Sequence, residues 1–292
     1  MTQWTEAQIE RLIEQATHQV MLAMQAAESS GSYGDHTDLA MSAQEYLDNV
    51  KPVVNAGADR IASTLNVAPT DGSLSHMIDH TLLKPDASHD QIARLCYEAK
   101  KHDFISVCVN PSYVKLCSDL LKGSSTLVCT VVGFPLGATS TDAKVFETQQ
   151  AIRDGATEID MVINIGALKS RDYQLVRDDI AAIANATHAG GAILKVIIEA
   201  AMLTDEEKVI ACQLSKVAHA DFVKTSTGFG PGGATPEDVA LMRRVVGSKM
   251  GVKAAGGIRS YEDAKKMIAA GASRIGASAS VKILQGALAT SH

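Results

Sequence analysis

Three lysines recur at a fixed interval inside apolar stretches of the chain. Lys224 stands 29 residues after Lys195 and 29 residues before Lys253, and each lies in a short strand-like run. An ammonium group loses its hydration in an apolar interior, so such a lysine reaches solvent, finds a partner or gives up its proton. The equal spacing predicts that the three side chains occupy similar heights on successive strands and meet. The alternative is that each turns outward to a salt bridge, with Lys224 marking the solvent-exposed end of its strand.

Clustered lysines have a specific chemistry. Like charges and desolvation both lower the pKa of a lysine, which frees a neutral amine to attack a carbonyl carbon. The resulting Schiff base is an electron sink for making or breaking an adjacent carbon–carbon bond. Glu158 and Asp160 lie in an earlier apolar run, where a carboxylate would balance the lysine charge and move protons. The alternative is that these two acids cap their strand or lie at its surface.

Glycine-rich turns follow the last two apolar runs. Gly256 and Gly257 end one of them, and Gly276 and Ser278 end the other. Backbone N–H groups in the loops after the seventh and eighth strands of a barrel often bind phosphate. The position of these turns in the chain therefore predicts a phosphate site, although any tight turn can require glycine.

The elements that must position these residues are eight short apolar runs separated by amphipathic stretches. Most runs are rich in Val and Ile without strict alternation, as strands covered on both faces are. Eight strands alternating with helices over about 215 residues predict an α/β fold, the (β/α)8 or TIM barrel. A doubly wound open sheet is the alternative, but the first unit lacks a G-x-G-x-x-G turn. The predicted strands lie within residues 77–83, 104–110, 125–135, 158–166, 192–200, 221–228, 251–257 and 273–278.

The start of the chain has a different pattern. Residues 1–72 are predicted to form a helical N-terminal extension and linker, followed by the barrel at 73–292. A second helix begins near Ser42 and is kinked or divided at Pro52. We expect the first helix to pack on the barrel or on a neighbouring subunit, or alternatively to cover the barrel mouth as a lid. Its apolar stripe consists of Ile9, Leu12, Ile13, Ala16, Val20, Ala23 and Met24.

Composition excludes several classes of protein. The formal net charge of −6 argues against a general nucleic-acid surface, and no apolar run approaches the ~20 residues of a membrane span. The N-terminus lacks the apolar core of a secretion signal. Five cysteines without a C-x-x-C pair indicate a reducing cytoplasm and no zinc cage. We therefore predict a cytoplasmic protein with no nucleic-acid or membrane partner, no metal and no other cofactor.

Seven motifs of the barrel region, taken in order, resemble the deoxyribose-phosphate aldolase family. The resemblance runs from about residue 77 to 287. It implies a class I aldolase that reversibly cleaves 2-deoxy-D-ribose 5-phosphate to glyceraldehyde 3-phosphate and acetaldehyde, as a homo-oligomer (a dimer or tetramer). An aldolase of another donor specificity, a pyridoxal-phosphate barrel and a sugar-phosphate-binding barrel without turnover stay open as rivals. The motifs are IDHTLLKP, VCVNPSYV, VVGFPLGA, EIDMVINIGALKSRDY, LKVIIEAAMLTDEE, DFVKTSTGFG and VKAAGGIR.

The resemblance also implies roles for individual residues. It makes Lys224 the Schiff-base lysine, Lys253 the second lysine that tunes it, and Asp160 the carboxylate of a proton relay. One departure concerns Phe229, which follows KTSTG where some members carry a lysine that helps hold phosphate. The implied substrate-binding residues are Thr81, Cys108, Thr227, Asp79 and Lys195. The implied phosphate-binding residues are Gly228, Gly256, Gly257, Gly276 and Ser278.

Overall fold

Eight parallel strands form the centre of the molecule. The computed structural model describes residues 5–29 and 74–290. Each strand pairs with the next in chain order, and the last pairs with the first, so the sheet closes into a barrel. This confirms the predicted (β/α)8 fold. The strands are β1 (Ile78–Leu82), β2 (Ser106–Val109), β3 (Leu127–Val132), β4 (Glu158–Val162), β5 (Ile193–Ile197), β6 (Phe222–Lys224), β7 (Gly251–Ala255) and β8 (Arg274–Ala277).

Helices surround the barrel and connect its strands. Several begin at a side-chain cap that satisfies an orphan backbone N–H. The Thr235 hydroxyl accepts a hydrogen bond from the Asp238 amide, and Ser260 forms a capping box with Asp263. The helices are α1 (Glu6–Ser29), α2 (His89–His102), α3 (Val114–Leu120), α4 (Thr141–Arg153), α5 (Ile165–Lys169), α6 (Tyr173–Ala189), α7 (Asp205–Val217), α8 (Pro236–Val246), α9 (Tyr261–Ala269) and α10 (Ser280–Thr290).

Alternation along the strands separates an apolar outer layer from a charged interior. Val223 and Val252 are fully buried and directly precede Lys224 and Lys253. Because successive strand side chains point to opposite faces, the valines face the helices and the lysines face the inside of the barrel. Each buried valine contributes about 1.5–3 kcal/mol of hydrophobic stabilisation. The lysines are therefore held by a well-packed wall.

The strand register relates the positions of the three lysines to one another. Lys224 of β6 lies directly opposite Lys253 of β7, so these two occupy equivalent positions as expected. Lys195 of β5 lies opposite Phe222, two residues before Lys224. Adjacent strands of this tilted barrel are staggered by about one residue per strand, so this offset in hydrogen-bond register still leaves the three lysines at similar heights, as predicted.

The described part of the N-terminal extension is a helix on the outside of the barrel. α1 packs against α7 and α6. Ile13, Ala16 and Val20 are buried, and the Gln213 amide donates a 3.2 Å hydrogen bond to the Thr17 hydroxyl. This part of the apolar stripe therefore covers barrel helices. The second predicted helix and the linker before the barrel lie outside the described residues.

Among the helices in the described ranges, none is both long enough and apolar enough to span a bilayer.

Candidate active site

Asp160 is the centre of the charged interior. Its Oδ1 lies 2.9 Å from the Lys195 Nζ, and its Oδ2 lies 2.8 Å from the Lys224 Nζ and 2.7 Å from the Lys253 Nζ. Burial opposes the charge of this carboxylate, but the three ammonium groups outweigh burial and hold the pKa of Asp160 well below its usual range. Asp160 is therefore ionised, and all three lysines point inward, as predicted.

Lys253 is held by a second carboxylate. Its Nζ lies 2.5 Å from the Asp79 Oδ2, in addition to its contact with Asp160. Burial favours the neutral amine, but the two carboxylates outweigh it and raise the pKa of Lys253 above its ordinary value. The same balance, with Asp160 as the strongest partner, raises the pKa of Lys195. Both side chains therefore remain protonated at neutral pH.

Glu158 belongs to the same network, one layer deeper in the barrel. Its carboxylate lies 2.6 Å from the Lys195 Nζ and 3.1 Å from the Arg274 Nη1. Arg274 also donates a 2.6 Å hydrogen bond to the Asp79 Oδ1, which accepts a second one from Ser106 at 2.8 Å. Glu158 is 1% exposed, so it is an interior ion-pair partner and does not lie at the surface.

Lys224 is the least constrained cation of this network. The network contains four cations, Lys195, Lys224, Lys253 and Arg274, and three carboxylates, Asp79, Glu158 and Asp160. Within the described residues, Lys224 contacts a single carboxylate, whereas the other three cations each contact two or more. Its amine can therefore turn toward an incoming carbonyl at the cost of one ion pair.

Directly beside the charged network, the interior is apolar and carries two thiols. Cys108 and Cys129 lie opposite each other in β2 and β3 and pack with Leu83 and Val131. The Cys129 thiol donates a 3.1 Å hydrogen bond to the Asp160 Oδ1. Cys108, a predicted pocket residue, is thus beside the charged network, on a surface suited to a small hydrocarbon group.

Two threonines from the predicted substrate set have their hydroxyls engaged. The Thr81 hydroxyl donates to the Asp79 carbonyl oxygen at 2.8 Å, and Thr81 lies opposite Cys108. The buried Thr227 hydroxyl donates to Glu199. Direct contact of either hydroxyl with substrate stays a prediction.

The predicted phosphate residues differ in their surroundings. Gly228, Gly256 and Gly257 have φ angles of 86°, 88° and 80°, which only glycine adopts without strain. Gly276 lies within β8, where an added Cβ would come 3.0 Å from the Lys253 Cε, so it provides space for that lysine. Ser278 is exposed just after β8. A phosphate site at the loops after β7 and β8 stays a prediction.

Two sets of potential metal ligands occur in this interior, which the cysteine spacing did not predict. One consists of Cys108, Cys129 and Asp160, and the other of Asp79, Cys129 and Glu158; within each, the donor atoms lie within 4.8 Å of one another. The carboxylates of both sets already accept from lysine or arginine. A divalent ion would have to compete with these fixed cations.

Arg274, Ser106 and Glu199 were missed as candidate residues. A charged residue at the start of the apolar run 273–278 was the available signal for Arg274, and it is the same signal that singled out the lysines. Ser106 and Glu199 had no comparable signal, because serine is common within strands and acidic residues are common just after them.

Replacing Arg274 with methionine is expected to lower the free energy of unfolding by about 3–5 kcal/mol. The change leaves Asp79 and Glu158 buried without their guanidinium partner. Urea unfolding measures the effect. Arg94→Met is the control, since Arg94 pairs with Glu98 while 80% exposed and such pairs contribute about 1 kcal/mol or less. Equal losses in the two variants would show that the buried network does not stabilise the barrel.

Comparison with known proteins gives a consistent result. A family model described as DeoC/LacD family aldolase matches residues 73–289. The deoxyribose-phosphate aldolase of Lysinibacillus sphaericus is 59% identical over 220 residues, which are 75% of this chain and 98% of that protein. That of Macrococcus caseolyticus is 61% identical over 214 residues, 73% of this chain and 96% of that one. The tetrameric deoxyribose phosphate aldolase of Aeropyrum pernix superposes with a TM-score of 0.73 at 34% identity, over 80% of this chain and 99% of that chain.

Proposed function

The chain belongs to the DeoC/LacD family of aldolases, and from this premise we propose that Lys224 is its Schiff-base nucleophile and 2-deoxy-D-ribose 5-phosphate its substrate. The enzyme is a deoxyribose-phosphate aldolase, a lyase that reversibly forms glyceraldehyde 3-phosphate and acetaldehyde in deoxyribose phosphate catabolism. One observation carries the assignment of residues. Lys224 and Lys253 share a single oxygen of Asp160 inside the barrel, at 2.8 and 2.7 Å.

The reaction begins when the Lys224 ammonium group passes a proton to the Asp160 carboxylate, which leaves a neutral amine. Its Nζ attacks the aldehyde carbon C1 of the open-chain sugar, and loss of water from the adduct gives an iminium ion. The Asp160 carboxylate then accepts the proton of the C3 hydroxyl, the C2–C3 bond breaks, and the electron pair of that bond moves through C2 and C1 to the iminium nitrogen. Glyceraldehyde 3-phosphate departs. Protonation of C2 and hydrolysis release acetaldehyde and regenerate Lys224.

Asp160 and Lys253 handle the protons of these steps. Both lysines donate to the same Asp160 oxygen, which gives protons a short path between them. Lys253 remains protonated because Asp79 also binds it, so it is a fixed cation beside the reacting amine. The two-carbon end of the substrate fits the apolar surface at Cys108, and the glycine turns after β7 and β8 bind its phosphate.

The cleavage assay is direct. Purified protein incubated with 2-deoxyribose 5-phosphate is expected to release glyceraldehyde 3-phosphate and acetaldehyde in equal amounts, measured by coupled dehydrogenase reactions. An aldolase of another specificity would leave this substrate intact and cleave a different sugar phosphate.

Removing metal ions is expected to leave turnover unchanged, within about twofold. The iminium ion supplies the electron sink of the reaction, and the candidate metal ligands are held by lysine and arginine partners. The rate of cleavage is measured before and after prolonged treatment with a chelator. Loss of activity that zinc or another divalent ion restores would contradict the mechanism.

Assembly, location and chain organisation complete the proposal. The protein is a homo-oligomer, a dimer or tetramer, in line with the tetrameric relative from Aeropyrum pernix. It works in the cytoplasm, which its five buried free thiols support. Residues 1–72 are an extension and linker without a catalytic group, and 73–292 are the catalytic barrel. Mass measurement by light scattering tests the oligomer.

A further inference from the structure

Glu199 combines burial with a strained backbone. It follows β5, is 2% exposed and has a φ of 52°, in the left-handed region. A residue with a side chain held there costs on the order of 1–3 kcal/mol. The other described non-glycine residues with positive φ, Asp103, Arg171 and His219, follow helix ends, where left-handed turns are common. Glu199 does not follow a helix, so its conformation needs another reason.

The Glu199 carboxylate binds the loop after β6. It accepts a hydrogen bond from the Thr227 hydroxyl, and its two oxygens lie 3.3 and 3.4 Å from the Thr227 amide nitrogen. The Thr227 hydroxyl oxygen accepts in turn from the Phe229 amide at 3.0 Å. Gly230 packs directly on the carboxylate, since an added Cβ would lie 2.8 Å from the Glu199 Cδ. The loop therefore wraps around this one carboxylate.

The same loop continues to the turn after β7. The Ala234 amide donates a 3.0 Å hydrogen bond to the Gly256 carbonyl oxygen. Gly233 packs so closely that an added Cβ would come 2.4 Å from that oxygen. Lys224 ends β6 immediately before the loop. The loop after β6 thus connects Lys224 to the glycine turn after β7, and Glu199 fixes the conformation of the first residues of this loop.

We propose that Glu199 is a positioning residue. It holds the loop after β6 at the distance from Lys224 at which the loop can bind the phosphate of a substrate whose carbonyl carbon is at Lys224. The inference rests on the proposed function. The carbonyl carbon of the sugar is held at Lys224, whereas its phosphate is several bonds away and must meet the backbone N–H groups of the mouth loops. A buried carboxylate that binds both an amide and a hydroxyl of the loop orders those N–H groups without contacting substrate.

Replacing Glu199 with glutamine is expected to raise KM for 2-deoxyribose 5-phosphate about 10- to 100-fold, the range for loss of a charged hydrogen bond. The amide oxygen of glutamine can still accept from Thr227, but the negative charge that strengthens these hydrogen bonds is lost, and the NH2 group beside it cannot accept from the Thr227 amide. We expect kcat to change less than threefold and the kcat/KM for unphosphorylated 2-deoxyribose to stay the same. The ratio of the two kcat/KM values measures the effect, and the melting temperature verifies folding.

Thr227→Val provides the second variant, because it removes the hydroxyl and keeps the side-chain shape. We expect the Glu199→Gln, Thr227→Val double variant to be no worse than the poorer single one, since the two residues act through one contact. Thr227→Ser is expected to retain the wild-type ratio. Glu147→Gln is the matched control, because Glu147 accepts from the Gly133 amide at 2.7 Å in the loop after β3.

The outcomes separate this inference from the proposed function. A wild-type protein that cleaves neither sugar would refute the function itself. Cleavage by the wild type, with Glu199→Gln affecting both substrates equally or neither, would overturn the positioning role alone. Additive losses in the double variant would also overturn it. If Glu199→Gln does not fold, Thr227→Val is the deciding variant. Its kcat/KM for the phosphorylated sugar must then fall relative to that for unphosphorylated 2-deoxyribose, as expected for Glu199→Gln, and an unchanged ratio would overturn the positioning role.

Discussion

The Lys224→Met variant is expected to lose turnover by roughly 10⁴-fold or more while keeping its fold. Methionine is similar in length but has no amine, so the iminium cannot form and the electron pair of the C2–C3 bond has no sink. The buried network also tolerates the change. Without Lys224, three cations remain for three carboxylates, and the Asp160 carboxylate still contacts Lys195 and Lys253.

The rate of glyceraldehyde 3-phosphate formation measures this loss, and urea unfolding verifies that the barrel is intact. Lys216→Met is a suitable control, since Lys216 lies on α7 outside the catalytic network and is partly exposed. We expect the control to retain its rate within about threefold. Residual activity of a tenth or more in Lys224→Met would mean that another group forms the imine.

Replacing Lys253 with leucine is expected to lower kcat by roughly 10²–10⁴-fold, the range for loss of a group that handles protons. Lys253 keeps its proton because its pKa is raised, and it shares an Asp160 oxygen with Lys224. Without Lys253, Lys224 becomes the main cation bound to that oxygen. An ammonium group held in this ion pair cannot attack a carbonyl.

Single-turnover measurements distinguish slower imine formation from slower product release in Lys253→Leu. The expected result is a slower rate of imine formation at saturating substrate, with little change in KM for the phosphorylated sugar. Near-normal kcat at neutral pH would show that burial of Lys224 alone makes it reactive.

Much of the fold and part of the site followed from residue patterns. The eight strands were predictable because runs such as 125–135 are rich in Val and Ile and too short for buried helices. Lys224, Lys253 and Asp160 were recognisable because a charged side chain inside such a run requires a partner or a function. The position of these charged side chains inside apolar runs was therefore enough to predict that they lie together in the barrel interior.

Other features depended on register and loop geometry, which residue spacing does not specify. The pairing of Lys195 with Phe222 in hydrogen-bond register depends on the stagger of the closed barrel. The pairing of Arg274 with Glu158 and Asp79 joins three strands that are distant in the chain. Glu199 depends on a backbone conformation that no pattern of apolar residues indicates.

The most direct test of the mechanism is to trap the imine. Wild-type protein is incubated with acetaldehyde, reduced with sodium borohydride, digested and mapped by mass spectrometry. Reduction converts the imine to a stable secondary amine, so the proposal predicts one added two-carbon group on the peptide that contains Lys224. Modification of Lys195 or Lys253, with Lys224 unmodified, would contradict it.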